Sequence, residues 1–224
     1  MITVDGHAKN RITCGKHRQF HQKRKERDMQ EIADKIINRI PEKIRGEISS
    51  RPFLIAIDGR CASGKSTLAA MLGRRLNCSV FHTDHFFLQP CQRTEERLGE
   101  PGGNMDRERF AEEVLKPFSK GERVLYRPFD CHTMGFSPAS EIPFGQMAVT
   151  EGSYCCHPEL WDFYDLHIFL NVSAEEQLRR IEKRNGANLE VFRNKWIPLE
   201  EKYFVEYGIK DRCELVLETD GRIL

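Results

Sequence analysis

Phe53-Leu-Ile-Ala-Ile-Asp58 runs directly into Gly59-Arg-Cys-Ala-Ser-Gly-Lys-Ser66, and this stretch decides the fold. The first part predicts a buried strand, because five of its six residues are apolar. The spacing G-x-x-x-x-G-K-S follows, with a helix predicted from Lys65. A glycine-rich turn between a strand and a helix is typical of a loop that binds phosphate groups.

The residue types of this loop indicate how it would bind a nucleoside triphosphate. Gly59 and Gly64 permit backbone turns in which successive N–H groups face one anion. The start of the helix adds free N–H groups and the positive end of its dipole. Lys65 would place its charge on the β- and γ-phosphates, and the Ser66 hydroxyl would ligate Mg²⁺. We therefore predict ATP and Mg²⁺ as cofactors. The predicted nucleotide-binding residues are Gly59, Arg60, Cys61, Ala62, Ser63, Gly64, Lys65, Ser66 and Thr67.

Length, composition and net charge restrict the class of protein to which this chain can belong. A chain of 224 residues with 39% hydrophobic and 31% charged residues is expected to form one globular domain. No apolar run approaches the roughly 20 residues that a membrane-spanning helix needs. The net charge of +1 gives no overall attraction to nucleic acid or to a membrane. A homo-oligomer is left open.

Residues 1–28 form a basic head with eight Lys or Arg against three acidic residues. The head lacks the apolar segment of a secretory signal. Its composition predicts a solvated, poorly ordered tail that catalysis does not need, with a nucleic-acid arm as the alternative. We assign residues 29–224 to the phosphate-binding domain.

The eight cysteines show neither C-x-x-C pairs nor the spacing of a secreted disulfide scaffold. Without a signal peptide, a reducing cytoplasm is the expected compartment. Cys61 lies inside the loop, near Lys65 and a helix N-terminus, both of which favour a thiolate. From this position we predict a reactive thiol that bound ATP would protect.

Apolar strands alternate with helical patterns along the chain and predict a three-layer α/β fold with a mostly parallel sheet. The helices are expected at residues 29–40, 65–76, 107–118, after Ser173 up to 185–186, and at 189–207. The strands are expected at residues 53–58, 79–82, 147–150, 166–170 and 213–217, with a hairpin near 124–135. Ser173 and Glu176 have the spacing of a helix capping box.

Ligands bind beyond the carboxyl ends of parallel strands, and three carboxylates follow such ends. Asp58 directly precedes the loop. Glu151 follows a buried strand, where an acid would hold Mg²⁺ directly or through water. Asp84 follows the second strand, where an acceptor hydroxyl would need a base.

Several segments together resemble the uridine kinase family, over residues 53–217. They are the loop 59–66, Thr83-Asp84-His85-Phe86-Phe87, Gly103-Asn104-Met105-Asp106, Glu151-Gly152, Glu176-Gln-Leu-Arg-Arg-Ile181 and Arg184-Asn-Gly186. The resemblance implies transfer of the ATP γ-phosphate to a nucleoside 5′-hydroxyl.

The resemblance also implies roles for particular residues. Asp84 would be the general base, Lys65, Ser66 and Glu151 would handle phosphate and Mg²⁺, and Arg180 and Arg184 would lie in a lid. The acceptor contacts that it implies are Asp84, Phe87, Asp106 and Asp130.

The sequence departs from the family where the acceptor is read. Phe86-Phe87 replaces the usual Phe-Tyr, and Phe129-Asp130-Cys131 matches the base-reading segment only in part. A site built to hydrogen-bond a base changes specificity when it loses those groups. A kinase for pantothenate or a sugar phosphate therefore stays open, as does a nucleotide-dependent switch without catalysis.

Overall fold

The computed structural model of the protein describes residues 26–40 and 51–220. Its strands are β1 (Phe53–Gly59), β2 (Ser79–His82), β3 (Val124–Tyr126), β4 (Phe129–Asp130), β5 (Gly135–Phe136), β6 (Ser140–Ile142), β7 (Met147–Glu151), β8 (Leu166–Asn171) and β9 (Leu215–Glu218). Five of them form one parallel sheet in the order β2-β7-β1-β8-β9. β3 with β6, and β4 with β5, form two small antiparallel pairs in the predicted hairpin region.

The helices surround this sheet. They are α1 (26–39), α2 (Lys65–Leu76), α3 (Glu95–Gly99), α4 (Arg107–Phe110), α5 (Lys116–Ser119), α6 (Pro158–Trp161), α7 (Ala174–Asn185), α8 (Leu189–Val191), α9 (Ile197–Glu206) and α10 (Ile209–Arg212). A π-helical turn, Ala111–Leu115, joins α4 to α5, and another, Phe192–Trp196, joins α8 to α9. Pro117 and Pro198 follow these turns. Because proline cannot donate an i→i−4 bond, a regular α-helix is weakened there.

Alternate side chains of β1 build two separate cores, one on each face of the sheet. Ile55 and Ile57 point into a core with α1 and α2. Leu54 and Ala56 point into a core with α4, α5, α6 and α9. All seven residues of β1 are buried, as expected for a central parallel strand. The predicted three-layer α/β fold is confirmed.

The register of the sheet aligns the ends of its strands. Ile57 lies opposite Glu151 of β7 and Ile168 of β8, and His82 of β2 also lies opposite Glu151. The carboxyl ends of β1, β2 and β7 therefore open onto one edge, where the chain carries its loop and its acids. This alignment is what assembles the site.

Two details differ from the sequence prediction. Ser173 is the N-cap residue of α7, as predicted, but its side chain makes no cap hydrogen bond, so the predicted capping box does not form; Glu176 pairs with Arg179 and Arg180. α1 begins at residue 26, inside the predicted head, whereas residues 1–25 of that head lie outside the described residues. No described helix has the length and apolar character needed to cross a membrane.

Candidate active site

A large cleft of about 1190 Å³ lies at the carboxyl edge of the sheet. Its floor is the loop 59–66 with Asp84 and Glu151, and its far wall comes from α7, α8 and α9. The sequence predicted the floor from local motifs. The cleft brings the loop, Asp84, Glu151, Arg180 and Arg184 together around one space.

The loop turns sharply at Gly59, where φ is +125°. A Cβ at this position would lie 2.2 Å from the carbonyl oxygen of Leu170, so only glycine fits between β1 and β8. Gly64, with φ of +104°, ends the loop at the start of α2. These two conformations allow the loop to curl over the end of β1, as predicted.

The Lys65 ammonium folds back onto the loop and donates to the carbonyl oxygens of Gly59 (2.7 Å) and Arg60 (3.0 Å). Burial lowers the pKa of Lys65, but four carboxylates outweigh that effect and raise the pKa above its ordinary value. In decreasing order of effect they are Glu200, Asp58, Asp84 and Glu151. Lys65 is therefore held as a cation.

Ser66 and Glu151, the two residues predicted to hold Mg²⁺, contact each other in the structure. The Ser66 hydroxyl donates to the Glu151 carboxylate at 3.2 Å, and the His82 ring nitrogen Nδ1 lies 2.6 Å from the other carboxylate oxygen. That hydrogen bond is the main reason why the pKa of His82 is raised. Oxygen donors are the ligands that Mg²⁺ prefers, so a hydroxyl beside a buried carboxylate fits this ion.

Asp84 follows β2 and opens into the cleft beside Glu151. Its neighbour Thr83 fixes the backbone, since the hydroxyl donates to the carbonyl oxygen of Ser153 at 3.0 Å. A Cβ on Gly152 would lie 2.2 Å from that hydroxyl and 3.3 Å from the Asp84 carboxylate. Glycine at this position thus lets the ends of β2 and β7 come close together.

The walls of the cleft change the acidity of Asp84, although its side chain is accessible from the cleft. Desolvation raises its pKa first, and the charges of Glu151 and Glu200 raise it further; Lys65 and His82 lower it. The net pKa is above the usual value of an aspartate. A carboxylate poised in this way suits proton acceptance.

Three of the four predicted acceptor contacts, Asp84, Phe87 and Asp130, line one side pocket, and only Asp106 lies apart from it. Phe87 lines the main cleft and also this side pocket of about 380 Å³, and Asp130 lines that side pocket, where it accepts from the backbone N–H of His132. Asp106 lies elsewhere: it is 2% exposed, caps α4 and accepts from Gln92. Asp106 lines neither cavity.

The two predicted lid arginines have different surroundings. Arg180 donates to the carbonyl oxygens of Ala62 (3.1 Å) and Ser63 (3.2 Å), so it braces the loop. It also donates to the carbonyl oxygen of Thr219 at 2.6 Å. Arg184 is exposed on the cleft wall and forms no ion pair with another described residue.

Cys61 differs from its prediction. Its side chain is 9% exposed, and Gln177 donates to both its sulfur and its carbonyl oxygen at 3.2 Å. Desolvation, followed by the charge of Glu200, raises the pKa of Cys61 to about 12, and Lys65 offsets this only in part. Although Cys61 lines the cleft, its low exposure and raised pKa contradict the predicted thiolate.

Asp58 supports the site without facing the cleft. It is fully buried, and its carboxylate accepts from the backbone N–H groups of Gly59 and Cys156 and from the Tyr203 hydroxyl. These bonds tie the end of β1 to the segment after β7 and to α9.

The sequence analysis did not identify Glu200 of α9, which is the carboxylate that raises the pKa of Lys65 most. It is 4% exposed and accepts from the backbone N–H of Cys61 at 2.9 Å and from the Ser153 hydroxyl at 2.7 Å. No motif marks it, because 139 residues separate it from Cys61 in the chain.

A search of protein-family profiles finds no match to this chain. Solved structures do match it. A possible uridine kinase from Bacillus stearothermophilus is 17% identical with a TM-score of 0.63, over 86% of this chain and 98% of that one. A candidate fructose transport system kinase from Silicibacter is 20% identical with a TM-score of 0.64, over 84% and 98%.

A D-glycerate 3-kinase from Cryptococcus neoformans is also similar, at 14% identity and a TM-score of 0.62, over 88% of this chain and 97% of that one. These proteins differ in their named substrates, and the identities are low. What they share with this chain is the architecture. The chain therefore has the fold of uridine kinase-like and related phosphate-loop kinases.

Proposed function

We propose that the protein is a small-molecule kinase that transfers the γ-phosphate of ATP to a hydroxyl group. One observation carries this proposal: the Asp84 carboxylate opens into the same cleft as Lys65 and the Ser66–Glu151 pair. A protein that only binds a nucleotide, without catalysis, needs no base at that position. The open cleft beyond Asp84 leaves room for an acceptor.

The proposed reaction assigns one task to each group. Asp84 accepts the proton of the acceptor hydroxyl as its oxygen bonds to the γ-phosphorus, and the bond between that phosphorus and the β–γ bridging oxygen breaks to leave ADP. Lys65 and the loop N–H groups hold the phosphates. Ser66 and Glu151 would hold Mg²⁺, which neutralises charge on the phosphate oxygens.

We propose a nucleoside 5′-hydroxyl as the acceptor, on the family resemblance of the Asp84 segment. Phe87 in the cleft wall supports this choice, since an aromatic ring can pack against a base. The base-reading polar groups of the family are replaced here.

Arg93 favours a second candidate, an acceptor with an anionic group such as a sugar phosphate or pantothenate. Its side chain is exposed in the cleft wall and donates from Nε to the carbonyl oxygen of Leu88 at 3.0 Å. It forms no ion pair with another described residue. A guanidinium that faces the cleft and has no carboxylate partner among the described residues suits a phosphate or carboxylate.

The test is ADP release from Mg-ATP in the presence of single acceptors. Uridine, cytidine, pantothenate and a hexose phosphate would be compared with buffer alone, and the Asp84→Asn variant would serve as control. Release that depends on uridine or cytidine supports the nucleoside, and release that depends on an anionic acceptor supports the second candidate. ATP binding without acceptor-dependent release from a wide hydroxyl library would contradict the proposed kinase.

A further inference from the structure

Glu200 places a negative charge at the phosphate-binding loop itself. Its carboxylate accepts from the N–H of Cys61, the third residue of the loop, at 2.9 Å. The Ser153 hydroxyl holds the other oxygen at 2.7 Å. The side chain is almost fully buried, so this is a built contact and not a surface acid that lies close by chance.

The position of this carboxylate conflicts with the task of the loop. Loop N–H groups and Lys65 serve to attract phosphate, and Glu200 already accepts from one of these N–H groups, that of Cys61. Among the carboxylates that raise the pKa of Lys65, Glu200 has the largest effect, ahead of Asp58. In the structure as it stands, Glu200 therefore supplies part of the negative charge that a nucleotide phosphate would bring.

We propose that Glu200 is an internal anion that competes with the nucleotide phosphates for the loop and so sets the affinity for ATP. The inference rests on the proposed nucleotide site. A phosphate and a carboxylate carry like charges and cannot share one donor without a cost, so phosphate binding at this part of the loop requires the Glu200 carboxylate to leave the Cys61 N–H.

The surroundings of Glu200 connect this competition to the cleft wall. Glu200 lies on α9, which directly continues the π-helical turn Phe192–Trp196 whose residues line the cleft. α9 contacts the loop region twice more, through Glu201 on Arg60 and Tyr203 on Asp58. Displacement of Glu200 would therefore act on the helix that carries part of the cleft wall.

The test compares Mg-ATP binding to the full-length protein and to Glu200→Gln by titration calorimetry, without acceptor. Glutamine keeps the shape and can still accept from Cys61, but it removes the charge. We expect the dissociation constant to fall at least about tenfold, which corresponds to 1.4 kcal/mol. The matched control is Glu201→Gln, which removes the same charge one residue away, where the carboxylate contacts the Arg60 side chain and no loop N–H. We expect it to stay within about twofold of the parent.

A second variant keeps the test valid if Glu200→Gln does not fold. Ser153→Ala removes the hydroxyl that holds the other Glu200 oxygen, and we expect a smaller tightening of a few fold. The internal-anion proposal would be overturned if Glu200→Gln and Ser153→Ala bound Mg-ATP as the parent does, or more weakly. It would also be overturned if Glu201→Gln tightened Mg-ATP binding as much as Glu200→Gln does. A parent protein that binds no Mg-ATP would contradict the proposed function itself.

Discussion

The Ser66 hydroxyl donates to the Glu151 carboxylate at 3.2 Å, although 85 residues separate them in the chain. One residue lies in the first turn of α2 and the other ends β7, so the contact depends on the parallel pairing of β1 with β7. His82 fixes the orientation of the carboxylate through its other oxygen. A hydroxyl and an oriented acid at one point are the two oxygen donors that a magnesium nucleotide needs.

We predict that Glu151→Gln raises the Mg²⁺ concentration needed for half-maximal turnover by about 10–100-fold, because the amide is a weaker ligand than the carboxylate. The measurement is the rate of ADP release as a function of free Mg²⁺. Glu141→Gln is the control, since that acid pairs with Arg123 on an exposed surface. An unchanged Mg²⁺ requirement in Glu151→Gln would place the metal elsewhere.

We predict that Asp84→Asn lowers kcat by about 10²–10⁴-fold, the usual contribution of a positioned base, while the Kd for Mg-ATP stays within a few fold. The pKa of Asp84 is raised, mainly by desolvation. Since only the ionised carboxylate accepts a proton, the parent should lose activity as the pH falls through this raised pKa.

The pH profile separates a base from a turn residue. The asparagine side chain of the Asp84→Asn variant cannot ionise, so its residual activity should lack that acidic limb. A variant with near-parental kcat on the true acceptor would show that Asp84 only shapes the turn. The base would then have to be sought between Asp130 and Glu151, because Asp106 lines neither cavity.

The floor of the site could be predicted from sequence because each of its parts is local. The loop is one contiguous motif, and Asp84 and Glu151 each lie at the end of an apolar strand. The parallel sheet then brings strand ends together without further information. These features follow from short-range spacing and from a general rule of α/β folds.

Glu200 and the state of Cys61 could not be predicted, because both depend on how a distant helix packs. Position alone suggested a thiolate at Cys61, next to a cation and a helix N-terminus. The packing of Gln177 and Glu200 around the thiol reverses that expectation. Side-chain direction within a loop is set by tertiary contacts, which spacing does not encode.

We predict that thiol reagents label Cys91 and Cys131 at least tenfold faster than Cys61 in the folded protein. The first two are exposed, whereas Cys61 is buried with its pKa raised from 9.0 to about 12. That shift alone cuts the thiolate fraction of Cys61 by roughly a thousandfold. Peptide mapping by mass spectrometry after brief iodoacetamide treatment gives the relative rates. Early labelling of Cys61 would mean that the loop opens often enough to expose it.

We predict that Arg180→Ala lowers stability and Mg-ATP affinity, whereas Arg184→Ala lowers kcat. Arg180 holds two loop carbonyl oxygens and the carbonyl oxygen that follows β9, so its loss should cost about 1.5–3 kcal/mol of unfolding free energy and weaken Mg-ATP binding. Arg184 is exposed on the cleft wall, so its loss should lower kcat and leave stability unchanged.

Urea unfolding and steady-state kinetics on both variants test this contrast. If Arg184→Ala had the parental kcat, Arg184 would belong to a solvated helix face and not to a lid. If Arg180→Ala kept parental stability and ATP affinity, its bonds to the loop would contribute nothing measurable.

We predict that His157 makes the protein less stable in mild acid. The ring is 3% exposed, lies nearly parallel to Tyr203, and its Nε2 has no hydrogen-bond partner among the described residues. Desolvation and then the charge of Arg107 lower the pKa of His157 to about 4. In the unfolded chain the pKa is about 6.5. Between these two pKa values His157 is therefore neutral in the folded protein and protonated in the unfolded chain.

The sign of the effect follows directly. The stability due to the neutral ring is complete above about pH 6.5 and is lost as the pH falls towards 4, by up to about 1.4 kcal/mol per pH unit. Between pH 6.5 and 5 this amounts to about 1.6 kcal/mol. Urea unfolding at several pH values measures it, with His157→Asn as the control. Asparagine can keep the cap on α6, since the His157 ring accepts there from the N–H of Glu159. Equal pH slopes in parent and variant would show that His157 stays neutral in both states or is protonated in both.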